Sequence, residues 1–254
     1  MTGVLRERLA GTRIGQREGF RWRGGEITRL EGFSDAVFAF AITLLVVSLE
    51  VPRTFHELAV TMRGFLAFGV CFALLIVLWH EHYVFFRRYG LQDAATVWLN
   101  AALLFVMLFY VYPLKFVFSL VLSGLTGSAT VVPLPGGGVE PVIEIAQMPT
   151  LFVIYGGGVI ALYLLLALLY LHAYRLRGEL ALTPVEVFDT QASIVGHLLA
   201  AGVALVSVVV ALVVPPRLVG LAGYTYFLFG PVMAAHGSIA GARRRRLFEE
   251  EIRA

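Results

Sequence analysis

Cysteine and charge are both scarce in this 254-residue sequence. Its one cysteine, Cys71, stands inside an apolar run, which excludes a disulfide framework or a cysteine-based zinc site within the chain. Charged residues make up 15% and hydrophobic residues 59%, whereas soluble domains run near roughly 25% and 45–50%. A soluble globule of this composition would leave large apolar patches in water, and a disordered chain needs the opposite bias. A basic stripe is missing too. The pI is about 9.2, yet the net charge is only +3 and the arginines lie between apolar blocks, so no nucleic-acid partner is expected. There is also no phosphate-binding glycine loop, no pair of catalytic carboxylates and no internal repeat. With a mean hydropathy of +0.82, what remains is a membrane protein.

Windows of about 19 residues, enough to cross a hydrocarbon core of about 30 Å, pick out six apolar blocks near 33–51, 60–79, 94–123, 150–172, 192–214 and 218–238. Thr28–Glu31, Thr54–Glu57 and Thr183–Glu186 have capping-box spacing, the last with Pro184 at the first helical position. Pro52 and Pro215-Pro216 read as stops after blocks one and five. Arginines collect in the N-terminal arm, after block two (Arg87, Arg88), after block four (Arg175, Arg177) and in the tail (Arg243 to Arg246). The alternate loops hold little beyond Arg53, Lys115 and Arg217. By the positive-inside rule, six helices with both termini in the cytoplasm satisfy every loop. The expected organisation is an all-α polytopic membrane protein with a cytoplasmic arm (1–27), a six-helix domain (28–240) and a basic/acidic cytoplasmic tail (241–254). The Gly/Pro-rich stretch 124–148 reads as a flexible outer loop carrying Glu140 and Glu144.

Polar residues inside apolar blocks are the informative ones. With a helix start at Thr28, Asp35 lies about 10 Å along the axis, too deep for a cap. An ionised Asp in a membrane helix must face protein, water or a cation. Arg29 is six residues away and on another face, so partners have to come from other helices. Ser34, Asp35, His82 and Asn100 sit at matching depth near the cytoplasmic side and can form one buried layer, either as a structural network or as a proton relay. His80 and His82, two positions apart, project about 200° from one another and make a poor metal pair.

Phe40, Leu44 and Val47 recur at i, i+4 and i+7 and form one helical stripe with Thr43 on its flank, either packing surface or pore lining. Gly156-Gly157-Gly158 in block four allows close helix approach or marks a kink. Asp189, Ser193 and His197 share one face of block five and superficially resemble a catalytic relay. Nothing supplies an oxyanion site, however, and an enzyme is not expected.

At Arg29-x-x-x-Phe33-Ser34-Asp35 the sequence resembles the transmembrane protein 175 family of potassium channels, in particular its single-repeat prokaryotic members. The likeness continues through Ala36 to Val47, then Trp79-x-x-His82, Leu99-Asn100 and Pro113, and it covers roughly residues 28 to 115. It implies a homotetramer in the plasma membrane whose first helices line a central pathway for K+ and other monovalent cations, with no cofactor and no bound metal beyond the transient ion. It places the constriction on Phe40, Leu44 and Val47, with Thr43 beside it, and assigns Arg29, Ser34, Asp35, His82 and Asn100 to a network supporting the pore helix. The family usually has Ile or Leu where this chain has Phe40 and Val47. Selectivity over Na+ is expected to be modest, and Glu140 and Glu144 are expected to gather cations at the outer mouth. A proton- or sodium-coupled transporter using Asp35 and His82 is the alternative.

Overall fold

In the computed structural model, residues 20–47, 53–126, 131–133 and 138–253 are described. Six segments among them are long and apolar enough to cross a membrane. Five are single helices: α1 (Arg29–Val47), α2 (Phe55–Tyr89), α3 (Ala94–Thr126), α4 (Met148–Arg175) and α5 (Pro184–Val213). The sixth, Pro216–Glu250, is broken. Two 3-10 turns and a four-residue helical turn precede α6 (Phe229–Arg253), although an unbroken span was expected over 218–238. The interruption is satisfied locally, because Ser207 and Thr225 donate their hydroxyls to the Ala222 carbonyl at 2.8 and 2.7 Å.

Two of the expected capping boxes form. At Thr28 the Glu31 amide donates to the Thr28 hydroxyl oxygen (3.1 Å) and the Thr28 amide to the Glu31 carboxylate (2.8 Å). Thr183 and Glu186 make the same exchange at the start of α5. The Glu57 side chain, Pro52 and residues 48–51 of the first block lie outside the described residues. Helix α2 runs ten residues past the end of its apolar block, because Phe85, Phe86 and Tyr89 are buried among charged neighbours that lower the window average. Residues 124–148 are less loop-like than expected. Val131–Pro133 and Val139–Pro141 form a short antiparallel hairpin, and Ile145–Gln147 a 3-10 turn.

Helix α1 packs on α2 and α3, α4 and α5 form the most extensive pair, and α6 lies mainly against α5. One cluster unites the first four helices, centred on Phe38, Leu45, Phe85, Met107, Leu166 and Tyr170. The glycine run in α4 is a close-approach surface. A Cβ on Gly158 would stand 2.2 Å from the Tyr110 ring, and one on Gly156 would stand 2.4 Å from Val208. Tyr110 in turn donates its hydroxyl to the Tyr155 carbonyl at 2.8 Å.

Candidate pore face and its polar anchor

Helix α1 has two distinct faces. Ser34, Phe38, Ala41 and Leu45 are buried, spaced three or four residues apart as one stripe against the bundle. On the other side Phe33, Phe40 and Val47 are 61%, 55% and 72% exposed, and Ala36 and Thr43 are exposed with them. At 100° per residue Ala36, Phe40, Thr43 and Val47 fall within an arc of about 60°. Leu44 stands at the margin of that arc. It is half-buried and packs against the core cluster, so the outward stripe centres on Phe40, Thr43 and Val47, with Leu44 on its flank. Thr43 donates its hydroxyl to the Ala39 carbonyl at 2.9 Å, and its oxygen keeps its accepting capacity on this exposed face.

Behind this face the expected polar residues form a chain. His82 Nε2 and Asn100 Oδ1 are 2.8 Å apart, Asn100 Nδ2 donates to Ser34 Oγ at 2.9 Å, and Ser34 donates to the Leu30 carbonyl at 2.8 Å. With Asn100 so oriented, His82 Nε2 carries the proton. All three side chains are buried and each bond leads to another, as buried polar groups require. The chain ties α1 to α3 and α3 to α2.

Asp35 does not join this layer. It lies on the exposed side of α1 and accepts from Trp79 Nε1 at 2.8 Å, while Trp79 stacks on Tyr83. Arg29 is exposed as well. The cation that meets the start of α1 is Arg87, 3.5 Å from the capping residue Glu31, a contact the sequence reading missed because both residues already had local explanations.

The basic segments converge at one end of the bundle. Arg23 donates to Glu186 and to the Leu180 carbonyl, Arg87 donates to the Gly25 carbonyl, and Arg88 lies 4.9 Å over the Phe20 ring. The strand of chain at Gly24 passes against α2, with its amide donating to the Arg87 carbonyl at 3.1 Å. A Cβ on Gly24 would stand 2.7 Å from the Phe86 carbonyl oxygen. Gly90, at φ +62°, ends α2 in the left-handed conformation and faces the Arg23 carbonyl.

The relay-like triplet of α5 comes apart. Asp189 is held by Arg244 at 2.9–3.0 Å, Ser193 donates to the Asp189 backbone carbonyl, and His197 turns to Glu81, 4.0 Å away. Among the described residues no three His, Cys, Asp or Glu side chains converge as metal ligands.

Six membrane-capable spans, with a first helix anchored on one side and bare on the other, define a polytopic membrane protein built to present that helix. Residues 29–110 match the family described as endosomal/lysosomal potassium channel TMEM175. A protein of Marivirga tractuosa named potassium channel is 41% identical over 252 residues, covering 94% of this chain and 98% of its own. A potassium channel of Chamaesiphon minutus is 36% identical over 98 residues, 35% of this chain and 47% of that protein. The fold agrees with the crystal structure of a variant of the potassium channel MtTMEM175 in complex with a nanobody–MBP fusion. The TM-score is 0.76 at 40% identity, covering 90% of this chain and 99% of that one. The chain belongs to the TMEM175 family of potassium channels.

Proposed function

We propose that four copies of this chain surround an axis along the exposed face of α1 and conduct K+ and other monovalent cations passively across the plasma membrane. The observation that carries this reading is the division of α1. Phe40, Thr43 and Val47 face away from the subunit while Ser34, Phe38 and Leu45 are buried behind them. Repeated four times, the outward stripe becomes stacked rings. Phe40, Leu44 and Val47 form apolar layers that block ions by dewetting when narrow and pass partly dehydrated ions when wider. Thr43 supplies oxygen atoms between them. Stripping water is less costly for K+ than for Na+, so selectivity is modest. The Ser34, Asn100 and His82 chain supports the helix from behind, and Asp35 with Arg29 flanks it.

The termini lie in the cytoplasm in this reading, with residues 1–27 as an arm and 241–254 as a tail continuing from the channel domain. The arginine-bearing end of the bundle then meets the cytoplasmic leaflet. Glu140, exposed within the hairpin, and Glu144, exposed just after it, lie at the outer mouth.

The test is K+ flux into liposomes holding the purified protein. Passive flux is expected, raised by Leu44→Ala and made less selective by Leu44→Asn, with cross-linking that stops at four subunits. Asp35→Asn leaves the flux in place. Saturating uptake coupled to protons or sodium and abolished by Asp35→Asn would replace the channel by a carrier.

A further inference from the structure

Helix α6 meets α5 closely but stands off from α2, and a cleft of about 520 Å³ lies between them. Small residues keep it open, Ala192 and Gly196 on α5 and Gly237, Ala240 and Gly241 on α6. Lining residues on α6 extend from Phe229 to Arg245, about 24 Å at 1.5 Å per residue. The end deeper in the bundle is walled by apolar Val77, Phe229 and Met233, and the arginine-bearing end by Arg244 and Arg245.

Two groups that can accept face one another at its wall, the Glu81 carboxylate and, with the ring proton on Nδ1, His197 Nε2. His197 has a side chain only 9% exposed, is flanked by the Tyr163 and Tyr170 rings, and its buried Nε2 has no hydrogen-bond partner. Glu81 Oε2 lies 4.0 Å from that nitrogen, too far for a hydrogen bond. The other carboxylate nearby, Asp189, is engaged by Arg244. A buried polar atom without a partner is costly. Two acceptors at this separation are each within about 2.8–2.9 Å of a single nitrogen placed between them, at an angle near 90°. A primary ammonium, with three N–H bonds, satisfies both at once. A quaternary ammonium has none to give.

From this geometry we infer that the α2–α5–α6 cleft binds the primary ammonium headgroup of an aminophospholipid. Its ammonium is held by Glu81 and His197, its phosphate is turned toward Arg245, and its chains lie along the apolar wall. The lipid is favoured over a soluble amine because the acceptors lie within membrane-spanning segments and the cleft combines a basic end with an apolar one. Among the described residues no third His, Cys, Asp or Glu groups with the pair as metal ligands, so the two alone fall short of a metal site.

The test is native mass spectrometry of the full-length protein with phosphatidylethanolamine, phosphatidylcholine and phosphatidylglycerol of matched chains. Phosphatidylethanolamine adducts are expected to exceed those of phosphatidylcholine about tenfold, the worth of one hydrogen bond to a charged group at the low end of its range. Glu81→Gln and His197→Phe should each erase that preference. Glu81 is partly exposed, so its variant carries the test if His197→Phe fails to fold. Equal adducts of the two lipids, preference for phosphatidylglycerol, or a preference that survives Glu81→Gln would overturn the inference. Displacement of the lipid by free ethanolamine at equal concentration would transfer the site to soluble amines and overturn the lipid assignment.

Discussion

Asn100 reaches Ser34 across 66 positions of sequence, its amide nitrogen 2.9 Å from the hydroxyl oxygen, and so fixes the rotation of α1 about its own axis. Because the opposite face of the helix is the bare one, this hydrogen bond, together with the burial of Phe38, Ala41 and Leu45, sets which residues face outward.

Asn100→Leu removes both amide bonds and strands the His82 N–H and the Ser34 hydroxyl oxygen. The expected loss is about 1–3 kcal/mol, read as a lower thermal midpoint of the purified protein. Combined with Ser34→Ala the two losses should fall short of their sum, since the side chains share one interaction. Additivity within about 0.3–0.5 kcal/mol would mean that the two are not coupled.

Thr43→Val keeps the side chain's shape and removes its oxygen. If that oxygen contacts the permeating ion, K+ flux relative to Na+ flux should fall while the protein's stability changes little. The hydroxyl is exposed and bonds only to its own helix at Ala39, and such back-bonds contribute little to stability. An unchanged flux ratio would remove Thr43 from the pathway.

Gly158→Ala should destabilise by about 1–3 kcal/mol through overpacking, because its Cβ would meet the Tyr110 ring at 2.2 Å. Gly157→Ala is the control, since a Cβ there meets nothing within 4 Å, and it should be neutral or slightly stabilising. Thermal melts of the two variants distinguish a packing surface from a kink, which would make both matter.

Legibility in the sequence followed from contrast. Ser34, His82 and Asn100 stood out as polar residues within apolar blocks, and they meet. Asp35 also stood out, but its partner is an indole N–H, which the search for opposite charge passes over. The Arg23–Glu186 pair spans 163 positions and joins two residues that each looked complete locally, one as a topology marker and the other as a cap. The break before α6 was hidden because Leu221 to Leu228 are mostly apolar, and hydropathy does not register a change from α to 3-10 geometry. The family resemblance named Leu44 as fully as Phe40. Only the packing distinguishes the half-buried residue from the exposed one.

Where the start of α3 meets the end of α4, His172 donates to Asp93 at 2.8 Å and Thr96 donates to the same carboxylate at 2.6 Å. Partial burial raises the Asp93 pKa, but these hydrogen bonds and the nearby His172 outweigh it and hold the carboxyl below its usual range. A depressed native pKa contributes stability at and above the ordinary carboxylate range, and that contribution disappears as pH falls through the lower native value. Acid melts should therefore show a small loss below the carboxylate range that Asp93→Asn abolishes. At neutral pH that variant should cost no more than about 0.2–1 kcal/mol, as for exposed ion pairs. An identical acid slope in the variant would assign the loss to other carboxyls.

The chain before α1 is fastened to the ends of α2 and α5 through Gly24, Arg23 and Glu186. The Thr28–Glu31 cap and Arg87 hold the first turn of α1 to the same platform. At the other end Val46 and Val47 are exposed. Helix α1 is thus tethered by an ion pair and hydrogen bonds at its arginine-bearing end, and farther along it is held by the packing of Ala41 and Leu45. In the proposed tetramer, a tilt of α1 about its tethered end would displace Val47 farther than Phe40 and hardly move Glu31, so the largest change in bore would come at the end of the helix farthest from the Arg23–Glu186 clasp.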